Sequence, residues 1–401
     1  MMEYILFGES HGPAVGVLLR NVPAGLPVDE ELICADLLRR KASGGLTTSR
    51  TESDAVEFLS GVYQGKTTGD PVAAILRNEN AHGADYDALK HLPRPGHADY
   101  AAFVRSGGHN DPRGGGHCSG RLTAPLVAAG ALAKTYLEAK GITVHAEIVD
   151  EEALRRRAAA ARSEGDSVGG QVRCIIRGVP PGLGGRDYAQ AVESEIARHV
   201  FAVPAVKAIG FGAGEEFAAM WGSDANDALR TDGERVYTLT NHAGGINGGI
   251  TNGMDIAFTV TFRPTPSIAK VQQTVDLSVM ENAAICVNGR HDACVVLRAA
   301  PAVEAAAALA LCTLWQEDAD DLPSLRRELD GIDEALVALF ARRQELSLRI
   351  GAYKKSHALP VRDESREAEI LDSRAAMAPE HADEVKALYG EILRLSREVQ
   401  E

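Results

Sequence analysis

The side chains best suited to chemistry sit in loops rich in glycine. Four short clusters stand out: Gly8-Glu-Ser-His-Gly12, Arg94-Pro-Gly-His-Ala-Asp99, Asn241-His-Ala-Gly-Gly-Ile-Asn-Gly-Gly249 and Gly289-Arg-His-Asp292. A fifth, Arg113-Gly-Gly-Gly-His-Cys-Ser-Gly-Arg121, leads into a helix expected from about Leu122. Glycines before a helix expose backbone N–H groups, which seat phosphate. Arg113 and Arg121 bracket that seat with permanent positive charge. Histidine moves protons near neutral pH. Any one cluster reads as a turn. Together, His11, His97, His242 and His291 with Arg94, Arg113, Arg121 and Arg290 suit an anionic substrate, an anionic cofactor and proton transfer. No metal site is expected, because His117-Cys118 has no second Cys/His pair at zinc spacing.

A second set of polar residues lies in a different texture. From Leu325, apolar residues fall at 325, 329, 332, 336, 339, 346, 350 and 353, as in a long amphipathic helix. The register calls for an apolar residue at 343, where Arg343 stands. A charge in a buried stripe is costly unless paired, so its partner is an acid on a facing helix or a ligand carboxylate. At ~1.5 Å per residue, a helix over 324–355 is ~48 Å long and calls for an intertwined dimer. After Leu359-Pro360 a second helix is expected near Arg362 or Asp363, with Asp363, Arg366 and Glu367 within one turn. Taken alone, that cluster reads as a capped helix start with solvated charges. A third helix, 382–400, carries Val385, Leu388, Ile392, Leu395 and Val399 on one face, with Ser396 and Gln400 at its edge.

The elements behind these residues change at Trp315-Gln-Glu-Asp-Ala-Asp-Asp-Leu-Pro323. Of 40 glycines, 37 precede Pro323. The expected organisation is one domain over 1–316, an acidic linker over 317–323 and a helical domain over 324–401. The net charge is −14, and the segment from Ser324 holds 13 Lys and Arg against 16 Asp and Glu. Neither part is basic, which argues against nucleic acid as a partner. Six cysteines without a C-x-x-C pair read as reduced thiols. With no leader and no apolar run of ~18 residues, a soluble, cytoplasmic chain without a membrane partner is expected.

The first part also repeats itself. Val17-Leu-Leu-Arg-Asn-Val-Pro-Ala-Gly-Leu26 returns as Cys174-Ile-Ile-Arg-Gly-Val-Pro-Pro-Gly-Leu183. Each copy is a strand and a turn, followed by a helical pattern at 30–41 and 188–200. That points to a pseudo-symmetric α/β body. Buried helices are expected at 124–140 and 303–315, strands at 236–239, 255–262 and 293–297, and a surface loop at 158–170.

The five ordered glycine motifs resemble chorismate synthase, from about Leu6 to Leu314. The resemblance implies an α/β (α+β) β-α-β sandwich with internal pseudo-symmetry, and a homotetramer. It implies 1,4-anti elimination of phosphate from 5-enolpyruvylshikimate 3-phosphate, using reduced FMN (FMNH2). His11 would protonate the departing phosphate, His97 would sit near flavin N1, and Asp292 would be a base linked to flavin N5. FMN contacts would come from His117, Cys118, Ser119, Pro204, Ala205, Gly248, Arg263, Pro264, Thr265, Pro266, Ser267 and Arg290. Arg40, Arg50, Arg113 and Arg121 would hold the substrate's anionic groups. Two departures stand out. The family's arginine pair after Arg39-Arg40 is reduced to Arg50, and its R-S-S is His117-Cys-Ser119. These losses weaken the case for tight phosphate binding and for an NADPH site, and leave room for an external flavin reductase.

Residues 322–401 resemble the all-helical chorismate mutase family through L-R-x-x-(I/L)-x-x-(I/L)-D, R-x-x-L, V-R-D-x-x-R-E and S-x-x-x-Q. That resemblance implies a three-helix fold and the Claisen rearrangement of chorismate to prephenate, without cofactor or nucleophile. Arg326 from one subunit and Arg343 from the other would bind carboxylates. Lys354 and Gln400 would face the ether oxygen. Asp363 and Glu367 would meet the ring hydroxyl, with Arg366 and Ser396 completing the site. Two rivals accompany this reading: a regulatory ligand-binding C-terminal module, and a weak or non-catalytic synthase acting as a flavin-binding scaffold.

Overall fold

The computed structural model describes residues 2–41, 45–47, 50, 52–80, 90–185, 190–287, 292–315 and 322–400. Arg290 and His291 lie outside the described residues, as do 317–321 of the expected linker. The chain divides into two compact units, Met1–Gln316 and Glu317–Glu401.

The first unit repeats one topology twice. Strands Glu3–Gly8, Ala14–Arg20, Val72–Arg77 and Val56–Ser60 form one antiparallel sheet, in that spatial order. Strands Thr143–Ile148, Gly170–Arg177, Ile256–Phe262 and Val206–Phe211 form the other, also antiparallel. Each sheet therefore places its first, second, fourth and third strands side by side. The repeated Pro-Gly segments follow the second strand of each sheet, and each leads to a helix, Glu30–Arg40 or Val192–Phe201. Each half ends in a longer helix, Thr123–Glu138 or Ala300–Leu314. The first long helix packs on Ala14–Arg20 and the second on Thr143–Ile148, so the helices form a layer between the sheets.

The two long helices are apolar all round because both are enclosed. Their crossing needs Gly130: a Cβ there would lie 2.2 Å from Ala305 Cβ. Two charges sit inside this apolar layer, Glu304 and Lys134. Glu304, 1% exposed, accepts from Arg39 Nη1 and Nη2 at 2.8 Å each and from the Ala146 N–H at 2.8 Å. Lys134 Nζ is 3.3 Å from it and also pairs with Asp36. Burial pushes the Glu304 carboxyl up, but these cations and the N–H outweigh that and hold it below its ordinary value.

Two local expectations fail for physical reasons. Residues 293–297 form no strand; Val295–Arg298 is a tight 3₁₀ turn whose Val296 and Leu297 are buried as the chain enters the long helix. Tertiary burial overrides the β-propensity of two valines. The expected loop at 158–170 is helical as far as Ser163, in Glu151–Ser163. Asp150 caps that helix through the Ala153 N–H at 3.1 Å, and Glu151 and Glu152 pair with Arg155 and Arg156 one turn on.

Among the described residues, the second unit has three α-helices, Leu322–Ser356, Glu364–Ala375 and Ala382–Glu398. Leu322 and Pro323, expected in the linker, already belong to the first. Its inward face is not the apolar stripe. Ser347 and Gly351 are buried toward the third helix, where a Cβ on Gly351 would lie 2.9 Å from Gln400 Cα. Leu329, Ile332, Leu336, Leu339 and Tyr353 are more than half exposed in the single chain.

Glu304 contributes stability above the unfolded carboxyl value of about 4.3, and that contribution is lost as pH falls through its lower folded value. Glu304→Gln is expected to cost about 3 kcal/mol at neutral pH, because it leaves the buried Lys134 under-compensated. Urea unfolding should show the gap to the unaltered chain closing as pH drops below about 4.

Candidate active sites

The loops at one edge of the helical layer enclose a cavity of about 1130 Å³ in the first unit. Both halves line it. His11, Arg40, Arg50, His117, Cys118, Ser119 and Arg121 come from the first half, with His97 from the Arg94–Asp99 motif. Pro204, Ala205, Arg263, Thr265, Pro266, Ser267 and Asp292 come from the second. Among the described residues, its wall carries nine Lys and Arg side chains against three carboxylates, Glu52, Asp54 and Asp292. A concave wall of one sign focuses its field on a ligand of the other. In a chain of net charge −14, this cavity is built for anions.

Each motif is braced. In Arg113–Cys118, Gly114, Gly115 and Gly116 take φ of +59°, +89° and +52° in succession. No other residue type adopts three such conformations in a row at low cost. Gly114 is also needed for space, since a Cβ would lie 2.3 Å from His11 Cε1. The Ser10 N–H donates to Gly116 O at 3.2 Å, joining this loop to the Gly8–Gly12 motif. Burial, with the Arg50 and Arg113 cations, pulls the His11 imidazole below its ordinary value. His97 Nε2 lies 2.6 Å from the buried Ser267 Oγ. Arg94 closes its own motif by a bidentate bond to Asp99, at 2.7 and 2.9 Å. Arg263 Nη1 donates to Gly96 O at 2.6 Å, so this arginine braces the His97 loop while lining the cavity. Asp292 accepts from Arg298 Nη2 at 2.8 Å.

The arginines expected to hold substrate are held by acids that the motifs did not reveal. Arg50 pairs with Glu52 and donates to Ser10 Oγ at 3.1 Å. Arg40 and Arg121 both pair with Asp54. The alternation Arg50-Thr-Glu52-Ser-Asp54 was the available signal: buried acids in step beside a required cation. Arg162, Lys207 and Arg298, also in the wall, stand in no motif.

Some expected residues lie elsewhere. Arg113 pairs with Asp111 at 2.7 Å and does not line the cavity. Gly248 belongs to the turn between Ile246–Asn247 and Ile250–Thr251, outside the lining, and Pro264 is also absent from it. His242 is a loop residue: Asp227 accepts from the His242 and Ala243 N–H groups at 2.8 and 2.9 Å, and pins the Asn241–Gly245 turn against Gly212.

In the helical unit, Arg343 donates to Ser396 Oγ, and Lys354 Nζ donates to Val361 O at 2.6 Å. Arg343, Ser347, Gly351 and Lys354 fall on successive turns and so share one face. Gln400 packs on that face, and its Oε1 is buried without a protein partner. Glu367 accepts from Arg397 Nη1 at 2.6 Å, a cation the sequence motifs did not include. Asp363 is exposed and accepts from the Arg366 N–H at 3.0 Å, as the cap of the second helix. Arg366 itself pairs with Glu369, and Arg326 is exposed.

The chorismate synthase family model matches residues 2–153 and 149–315, and the chorismate mutase type II model matches 325–401. A chorismate synthase of Aeropyrum pernix is 44% identical over 341 residues, covering 77% of this chain and 90% of its own. One from Chitinophaga pinensis is 46% identical, covering 76% and 92%. A crystal structure of a chorismate synthase superposes with a TM-score of 0.61 at 25% identity, over 78% of this chain and 91% of that one. The chain belongs to the chorismate synthase family, and its residues 325–401 are a chorismate mutase type II domain.

Proposed function

We propose that the cavity of the first unit is where 5-enolpyruvylshikimate 3-phosphate loses its phosphate, and that the helical unit converts the resulting chorismate to prephenate. The observation that carries this reading is the convergence of His11, His97 and Asp292 on one cavity with a cationic wall. Reduced FMN fits there. The left-handed Gly114 and Gly115, beside His117–Ser119, offer backbone to an anionic cofactor, and Thr265–Ser267 line the same cavity from the second half. Reduced FMN, when bound, supplies the electron density for C–O cleavage. The chain's residues do the rest. Arg40, Arg50 and Arg121 hold phosphate and carboxylates. His11 holds the proton that meets the departing phosphate oxygen. Asp292, fixed by Arg298, accepts the proton lost from the ring. His97, fixed by Ser267, supports the cofactor's edge. The resemblance to the family supports a cytoplasmic homotetramer as the working form.

In the helical unit, Arg343 and Ser396 meet a substrate carboxylate. Lys354 and Gln400 face the ether oxygen, where negative charge grows as the bond breaks. Glu367 accepts from the ring hydroxyl, and the Arg326 of a second copy completes the site. The half-exposed apolar stripe from Leu329 to Tyr353 supports this pairing, because a long helix left so uncovered needs a partner. Domains 1–316 and 324–401 thus carry consecutive steps.

Three tests follow from the geometry. Gly114→Ala drives a methyl into the His11 ring; phosphate release should fall about 100-fold while urea unfolding reports an intact first unit. Unchanged phosphate release would contradict the assignment of His11. An anion bound beside His11 stabilises its protonated form, so inorganic phosphate should raise its titration midpoint by NMR; an unmoved midpoint would count against contact. Arg343→Ala should cut chorismate-to-prephenate turnover by about 100-fold or more and leave phosphate release untouched. Unchanged mutase turnover would exclude the assigned site.

A further inference from the structure

Asp54 lies outside every motif that pointed to the cavity, yet it stands between two of its arginines. Its Oδ2 accepts from Arg40 Nη2 at 2.9 Å, and its Oδ1 accepts from Arg121 Nη1. All three side chains are buried, and all three line the cavity. Arg121 is held from other sides as well: Nε donates to Asn78 Oδ1 at 2.9 Å and Nη2 to Arg77 O at 3.1 Å. Arg40 is held less fully. Its Nη1 reaches Thr123 Oγ1 at 3.3 Å, and its Nε is buried without a partner.

The backbone marks the position too. Asp54 takes φ +55°, a left-handed conformation that aspartate and asparagine tolerate better than most residues. Such strain persists where the surroundings over-determine it.

Charge decides what the carboxylate does. Two buried guanidiniums side by side make a strong anion site, and one carboxylate between them halves its charge. Burial draws Arg40 down to about 10, and Asp54 works against that. The third cation facing Arg40 is Arg298, itself paired with Asp292. Asp54 therefore occupies the donors that a ligand phosphate or carboxylate would seek. A dianionic product that met both guanidiniums uncompensated would leave slowly.

We propose that Asp54 is the positioning residue of this anion-binding face: a built-in counter-ion that holds Arg40 and Arg121 in readiness and keeps the face weak enough to release inorganic phosphate. This rests on reading the cavity as the 5-enolpyruvylshikimate 3-phosphate site.

The test uses the full chain with Asp54→Asn, which keeps the left-handed backbone and the shape but not the charge, and Asp54→Gly, which keeps only the backbone freedom. Inorganic phosphate is titrated by calorimetry and by its effect on the unfolding temperature. Both variants should bind it about tenfold more tightly, as removal of one nearby negative charge implies. Phosphate release with reduced FMN should then show a lower KM, a lower kcat and stronger inhibition by added phosphate. Asp54→Glu, which restores the charge, should return phosphate affinity toward that of the unaltered chain. A residue that only propped the fold would loosen the site and weaken binding. Phosphate affinity unchanged or reduced in both variants overturns the proposal. Should the unaltered chain release no phosphate, the reading of the cavity fails, and the phosphate titration still decides the role of Asp54.

Discussion

The first unit depends on one buried carboxylate, Glu304, and on the cations Arg39 and Lys134 that meet it. Glu304 belongs to the last helix of the second half, and Arg39 to the first helix of the first half. Lys134 and the Ala146 N–H add a third and fourth element to the same carboxylate. Apolar contacts alone would let two helices of alanine and leucine slide past one another. A buried carboxylate must be met at one place, and every helix that meets it is thereby registered. Functional geometry follows directly. With Arg39 committed to Glu304, the next residue of the same helix, Arg40, points to the cavity and meets Asp54.

The cavity obeys the same logic of compensated charge with looser closure. Arg40, Arg50, Arg94, Arg121 and Arg298 are fixed by acids and His97 by a serine, so a ligand meets donors already in place. Fixed dipoles and charges that need no rearrangement are the main resource for a reaction that develops charge on oxygen. The helical unit uses the resource differently. Its polar side chains lie along one face of a long helix, and its apolar stripe is exposed in the single chain.

Much of this was legible in the sequence because motif and periodicity are local. Four of the five glycine motifs contribute residues to the wall, and the repeated Pro-Gly segments announce two halves of one topology. The helices expected from periodicity lie within a few residues of their observed bounds. One miss is local, the helix Glu151–Ser163 with its own cap and charge pairs; the others are non-local. Asp54, Arg298 and Arg397 owe their importance to partners far away in the chain or unremarkable in type. The Val295–Val296 pair lost its strand to burial. His242, in the most distinctive motif of all, serves a turn held by Asp227. The exposed stripe shows the converse: its period is plain in the sequence, but the other two helices of its unit leave most of it more than half exposed.

The central claim is that one polypeptide carries two consecutive reactions. The most direct measurement supplies the intact chain, under anaerobic conditions with chemically reduced FMN, with 5-enolpyruvylshikimate 3-phosphate alone. Inorganic phosphate and prephenate are then followed together. The account predicts that both appear in equal amounts at completion, with no other protein present. Phosphate accompanied only by accumulating chorismate, or neither product, would contradict it.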